Sequence, residues 1–206
     1  MRDTSQRLFL VKNKFLETIK IEDGVVYNMP YHQQRFEEVL HFFLVYQAPL
    51  LVNLIKPPKI GLFRCRIVYD PKALDLIEIL YIPYAKRAIK SFKIITDNAI
   101  EYSFKYVDRT DIDTLFAKKG DCDEILIVKN GLVCDTSIAN IAFYIDGAWL
   151  TPKTPLLKGT ARQRFLEQKK IKEIDMKVED LSHVKYVALM NAMIDFDTLD
   201  SFHFHF

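Results

Sequence analysis

The 206-residue sequence is poor in several things, and each shortage excludes a class of protein. It has only three cysteines, Cys65, Cys122 and Cys134, with no CxxC or Cys/His spacing. That argues against a zinc site and fits a chain that works in a reducing compartment. There is no charge excess: 29 Lys and Arg against 27 Asp and Glu give a net charge of +2. A protein devoted to neutralising nucleic-acid phosphate or an anionic membrane is therefore not expected. The longest apolar runs, such as Phe42 to Tyr46, fall far short of the ~18 residues of a membrane span. The start, Met1 to Arg7, has no apolar signal-peptide region, so a cytoplasmic location is expected. Glycine numbers only six, so each one marks backbone geometry that other residues resist.

What is present suits a globular chain with a core. Half of the residues are apolar and 27% are charged, and the length allows one or two domains at roughly 150 residues each. Asp23-Gly24, Asn130-Gly131 and Asp146-Gly147 are hairpin signals, each between strand-like segments. The periodicity predicts strands at Leu16–Ile21 and Val25–Met29, then a helix over about Tyr31–Tyr46 that Pro30 opens. Strands at Leu62–Tyr69, Leu74–Tyr81 and Phe92–Thr96 follow. Then come a helix at Arg109–Lys119 capped by Asp108, and a meander at Glu124–Lys129, Gly131–Asp135, Asn140–Ile145 and Ala148–Leu150. A helix at Thr160–Gln168, a strand at Ile174–Val178, a short helix at Glu179–His183 and a strand at Val184–Met190 complete an α+β pattern. The expected division is a small N-terminal α/β domain, 1–94, and a larger α+β domain, 95–206.

Five segments go beyond composition: Tyr31-His32-Gln33-Gln34-Arg35-Phe36, Tyr102-Ser103-Phe104-Lys105, Asp135-Thr136-Ser137-Ile138-Ala139-Asn140, Leu156-Leu157-Lys158-Gly159-Thr160-Ala161-Arg162 and Met190-Asn191-Ala192-Met193. In this order and spacing, over about residues 8–195, they resemble the fold-type IV (class IV) pyridoxal-phosphate aminotransferase and lyase family. Among its members, those akin to 4-amino-4-deoxychorismate lyase are the nearest in pattern. The resemblance implies a two-domain fold-type IV enzyme in shortened form, with pyridoxal 5′-phosphate as cofactor and the cofactor lysine in the second domain.

Residue by residue, the resemblance makes Lys105 the amine that links to the cofactor aldehyde and later shuttles a proton. Asp135 falls where the family keeps a carboxylate, usually glutamate, against the pyridine nitrogen; here it is one methylene shorter. Asn140, in the same segment, joins the cofactor-binding set. Thr160 and Ala161 open a helix whose N–H groups and dipole suit a phosphate, with Ala161 where aminotransferases often carry threonine. Arg35 matches the phosphate-binding arginine, and Leu157 the residue packed against the ring. Lys158 and Arg162 read as surface or helix charges.

Substrate residues are read on three further positions. Thr18 falls near the reacting carbons, where lyase members also tend to have threonine. Arg64 and Arg66, two apart on a strand, share one face, as a carboxylate clamp or as the solvated side of a hairpin. Asn191 sits beside phosphate or substrate carboxylate in the family, or serves backbone groups at a strand end.

The expected activity is that of a lyase releasing pyruvate and 4-aminobenzoate, a folate precursor, in a homodimer acting on a small-molecule amino substrate. An aminotransferase for branched-chain or D-amino acids would use the same Lys105, Asp135 and Arg35. Asp108 and Thr110, in place of the asparagine and tyrosine of branched-chain enzymes, weigh against that branch. A non-catalytic cofactor-binding module is the third reading.

Overall fold

The computed structural model describes residues 14–74 and 77–206; the N-terminal stretch Met1–Arg7 and part of the expected strand Leu74–Tyr81 lie outside them. Two compact units divide the chain. One holds residues up to Ala85 together with Phe104–Asp108; the other holds Lys86–Ser103 and Arg109–Phe206.

In the first unit β1 (Phe15–Glu22) turns at Asp23-Gly24 into β2 (Val25–Val26). Both turn residues have positive φ, 47° and 83°, the pairing that a two-residue type I′ hairpin requires. Asn28 then adopts a left-handed conformation and starts α1 (Met29–Phe42) with Pro30 in its first turn. After the short α2 (Leu51–Leu54) come β3 (Leu62–Tyr69) and β4 (Glu78–Pro83), giving an antiparallel sheet ordered β2-β1-β3-β4.

The sheet has two dissimilar faces because side chains alternate along each strand. Phe15, Ile19, Ile21, Cys65, Ile67 and Tyr69 form one core with Phe36, Val39 and Leu40 of α1, whose spacing puts one helical face on the sheet. Full burial of such side chains is worth about 1.5–3 kcal/mol each, so this interface dominates the unit's stability. Thr18, Arg64 and Arg66 point to the opposite face, with Thr18 directly beside Arg66 in the register.

The segment carrying Lys105 belongs to this first unit. Leu16 N–H donates to the Lys105 carbonyl at 2.9 Å and Val107 N–H to the Lys14 carbonyl at 2.9 Å. Phe104 and Tyr106 pack into the core beneath β1. The expected division therefore shifts. It falls after Ala85 rather than near residue 94, because β5 (Ser91–Thr96) pairs with β6 (Glu124–Lys129) of the second unit. Lys105 goes with the first unit because its backbone bonds β1.

The second unit contains α3 (Thr110–Phe116), a 3₁₀ turn (Ala117–Lys119), and two sheets. One is ordered β13-β5-β6-β7, with β7 at Leu132–Thr136 and β13 at His203–His205. The other is ordered β10-β9-β8-β11-β12, from β8 (Asn140–Ile145), β9 (Ala148–Pro152), β10 (Lys172–Ile174), β11 (Tyr186–Asn191) and β12 (Asp195–Thr198). The predicted meander is thus split: β6-β7 and β8-β9 are hairpins of different sheets. Phe92, Leu126, Val133, Ile141, Phe143 and Val187 fill a core between them. On the other face of β8 and β11, Ala142, Ala188 and Met190 receive Ala161 and Phe165 of α4 (Thr160–Glu167). Small alanines there let α4 lie close to the strands. No helix among the described residues is long and apolar enough to cross a membrane.

Candidate functional site

The first unit holds an ionised cluster under α1. Glu17 alternates with Phe15 and Ile19, so it points into the helix-covered face and is 1% exposed. Its carboxylate accepts from Arg35 Nε at 2.8 Å and Arg35 Nη2 at 2.6 Å, and from His32 Nδ1 at 2.6 Å. Burial alone would raise the Glu17 pKa; the Arg35 charge and the His32 and Arg35 hydrogen bonds outweigh it and hold the group down at about 2. Burial lowers the His32 pKa below its usual value, and a neutral ring donates its Nδ1–H as a hydrogen bond to Glu17. His32 Nε2 is buried without a hydrogen-bond partner among the described residues. Arg35, expected as a phosphate ligand, is thus oriented by a two-pronged carboxylate contact that uses two of its five N–H bonds.

Lys105 is half-buried beside β1, close enough for its charge to act on His32. On the opposite face of the sheet Thr18, Arg64 and Arg66 are also half-buried. The Nε atoms of both arginines are buried without a hydrogen-bond partner among the described residues. Two cationic groups with orphaned donors on one face are equipped to take carboxylates.

The second unit holds Asp135, Asn140, Leu157, Thr160 and Ala161 in one neighbourhood. Asp135 is the last but one residue of β7 and is 4% exposed. Its Oδ1 accepts from Asn140 Nδ2 at 2.6 Å and its Oδ2 from Leu157 N–H at 3.0 Å. Burial pushes the Asp135 pKa up to about 7 against these hydrogen bonds and the Arg162 charge. Asn140 Nδ2 also donates to the Leu157 carbonyl at 2.8 Å. Gly159 precedes α4 and has no side chain to cap it, which suits the early N–H groups of Thr160 and Ala161 to an anion. Arg162 is a helix charge of α4 and is buried, donating to the Pro152 carbonyl at 2.8 Å and to Glu173 at 2.7 Å. Lys158 is exposed.

Asn191 bonds backbone groups at its strand end. Its Oδ1 accepts from the Met193 and Ile194 N–H groups at 2.9 and 3.1 Å, and its Nδ2 donates to the Ile138 carbonyl at 3.3 Å. That fixes the turn after Asp135 from one side. Glu124 Oε1, accepting from Ser137 N–H, and Arg109, donating to the Ser137 carbonyl, fix it from others. Glu17 and Glu124 were missed from the sequence. Glu17 carried a signal, a carboxylate on the apolar side of a period-two strand; Glu124, at a strand start, carried none.

The chain matches the family described as amino-transferase class IV over residues 83–196. A protein of Haemophilus influenzae (strain Rd), itself uncharacterised, is 39% identical over 183 residues, which is 86% of this chain and 96% of that one. A solved structure from Haemophilus somnus 129pt, provisionally named a 4-amino-4-deoxychorismate lyase, shares 38% identity with a TM-score of 0.80, over 88% of this chain and 97% of that one. The PLP-bound form of a hypothetical aminotransferase from Mycobacterium tuberculosis matches with a TM-score of 0.76 at 14% identity, a likeness of fold over 98% of this chain and 85% of that one.

Proposed function

Since this chain belongs to the class IV aminotransferase family, we propose that it is a pyridoxal-phosphate enzyme that cleaves 4-amino-4-deoxychorismate to pyruvate and 4-aminobenzoate. The residues present fit the cofactor. Asp135 is a buried carboxylate whose hydrogen bonds come from neutral amides, a place that a protonated pyridine nitrogen would complete. The uncapped start of α4 suits a phosphate, and Arg35 is an oriented guanidinium fork. When bound, the cofactor supplies an electron-poor ring that takes up charge from the substrate carbon carrying the amine. Lys105 Nζ moves the proton at that carbon, and Thr18 Oγ1 assists transfer on the face it shares with Arg66.

The observation that carries the substrate reading is the pair Arg64 and Arg66 on the face of Thr18, each with a buried Nε that has no partner among the described residues. The proposed substrate has two carboxylates, one on the ring and one on the enolpyruvyl group, so two arginines match it. The solved relative from Haemophilus somnus, with its provisional name, supports the same reading. The protein would act as a homodimer. The exposed apolar side chains Phe42, Leu44, Tyr46, Leu50 and Val52 cluster along the end of α1 and the segment that follows, a surface suited to a second copy.

The test is incubation of the cofactor-loaded protein with 4-amino-4-deoxychorismate. Equal amounts of pyruvate and 4-aminobenzoate are expected, with Arg64→Ala and Arg66→Ala raising KM about tenfold or more. Amine transfer from amino acids to 2-oxoglutarate without pyruvate release would instead make it an aminotransferase. Cofactor binding with neither reaction would make it a non-catalytic module.

A further inference from the structure

We infer that Asn140 is a positioning residue: its amide clamps the Asp135 carboxylate and the Leu157 peptide into one rigid unit leading into α4. The inference rests on the cofactor reading for its consequence, since it concerns how the carboxylate assigned to the pyridine nitrogen is held.

The geometry closes on itself. Asp135 and Leu157 are joined directly, Leu157 N–H to Asp135 Oδ2 at 3.0 Å. Asn140 Nδ2 spends one N–H on Asp135 Oδ1 at 2.6 Å and the other on the Leu157 carbonyl at 2.8 Å. The Leu157 carbonyl can only accept, so the amide nitrogen and not its oxygen must face it. Both backbone groups of Leu157 are thereby bound by the same pair of side chains, and the Asp135 carboxylate has a donor on each oxygen.

Gly159 completes the arrangement. A Cβ at that position would overlap Asn140 Oδ1, so the bare Cα is what lets the amide sit there. The φ of Gly159 is −75°, which any residue adopts, so the need for glycine is one of space and not of backbone freedom. Asn140 is 6% exposed, and Thr160 next to Gly159 is 4% exposed. Through Asn140 the shorter aspartate arm, the residue expected against the ring and the helix start expected at the phosphate become mechanically one piece. Asn140 itself is then an organiser and not a cofactor ligand.

The charged and titratable groups acting on Asp135 are Arg162 of α4, which favours the carboxylate, and Cys134 on its own strand. In wild-type apoprotein with ¹³C-labelled aspartate and ¹⁵N-labelled asparagine and leucine, the Asn140 side-chain amide, the Leu157 backbone amide and the Asp135 carboxyl are expected to titrate together. An Asn140 signal that stays still while Asp135 titrates would overturn the inference, whether or not any variant folds.

The second arm uses Asn140→Leu, Asn140→Asp and Gly159→Ala with pyridoxine 5′-phosphate, which cannot link to Lys105. Each variant is expected to bind it about tenfold more weakly, the loss of one buried hydrogen bond. The ¹⁵N resonance of a ring-labelled cofactor is expected to move toward the unprotonated position. Wild-type affinity and ring signal in all three variants would overturn the inference. Failure of the wild type itself to bind the cofactor would sink the cofactor reading and leave the clamp to the titration alone.

Discussion

At the scale of single residues, the charges that matter are those the fold removes from water. Glu17 has three donors and a pKa held at about 2, below the ordinary value of 4.5, so its pairing stabilises the fold fully above pH 4.5. That contribution is lost as the pH falls from 4.5 toward 2, because the unfolded chain takes up the proton first. Glu17→Gln removes the buried carboxylate to which Arg35 and His32 donate, and urea unfolding at neutral pH is expected to show a loss of about 3–5 kcal/mol. The same variant should lose the wild-type dependence on pH in that acid window. A Glu17→Gln protein as stable as wild type would mean that the pair does not hold the helix. Asp135 runs the other way. Its pKa is raised from 3.8 to about 7, so in the apoprotein its contribution to stability declines as the pH rises through that interval. Thermal unfolding of Asp135→Ala apoprotein should therefore show a smaller fall in Tm between pH 5 and pH 8 than wild type.

At the scale of elements, the shortage of glycine shows at helix ends. Two helices finish in the same six-residue pattern without it. After α1, Leu44 N–H bonds the His41 carbonyl and Val45 N–H the Leu40 carbonyl; after α4, Lys169 N–H bonds that of Leu166 and Lys170 N–H that of Phe165. Leu44 and Lys169 hold φ of 62° and 56° in the position that glycine favours. Lys169 is exposed, so Lys169→Gly is expected to stabilise the protein by ~1 kcal/mol, read as a Tm raised by about 2–4 °C in calorimetry. An unchanged or lowered Tm would contradict that reading of the helix end.

The sequence was most legible where structure is local. The three hairpins announced by Asp-Gly and Asn-Gly pairs exist with both turn residues at positive φ, and β3 runs over Leu62–Tyr69 as its pattern predicts. Partner choice was not legible: nothing in Gly131–Asp135 or Asn140–Ile145 tells that β7 and β8 join different sheets. The helix predicted over Arg109–Lys119 begins one residue later, with Arg109 in the N-cap position, and ends in a 3₁₀ turn. Candidate site residues were findable because they lie in short ordered motifs. Their partners were not, since Glu17 meets Arg35 across 18 residues and Asn140 meets Leu157 across 17, contacts that only the folded chain creates.

At the scale of the whole molecule, the residues assigned to the cofactor are divided between two units, Lys105 and Arg35 in the first and Asp135, Leu157 and Thr160 in the second. The proposed homodimer is tested by light scattering: wild type should give twice the chain mass, and Leu44→Glu with Val52→Glu should shift it toward one. A wild-type mass of a single chain would remove the dimer from the account. The central claim is that Lys105 makes this chain a pyridoxal-phosphate enzyme. Its most direct test is the absorbance spectrum of protein saturated with the cofactor, native against Lys105→Ala. The account predicts a band at about 410–430 nm in the native protein, lost on borohydride reduction and absent from the variant, as a lysine-linked cofactor requires. A native spectrum without that band, or one that the variant keeps, would contradict it.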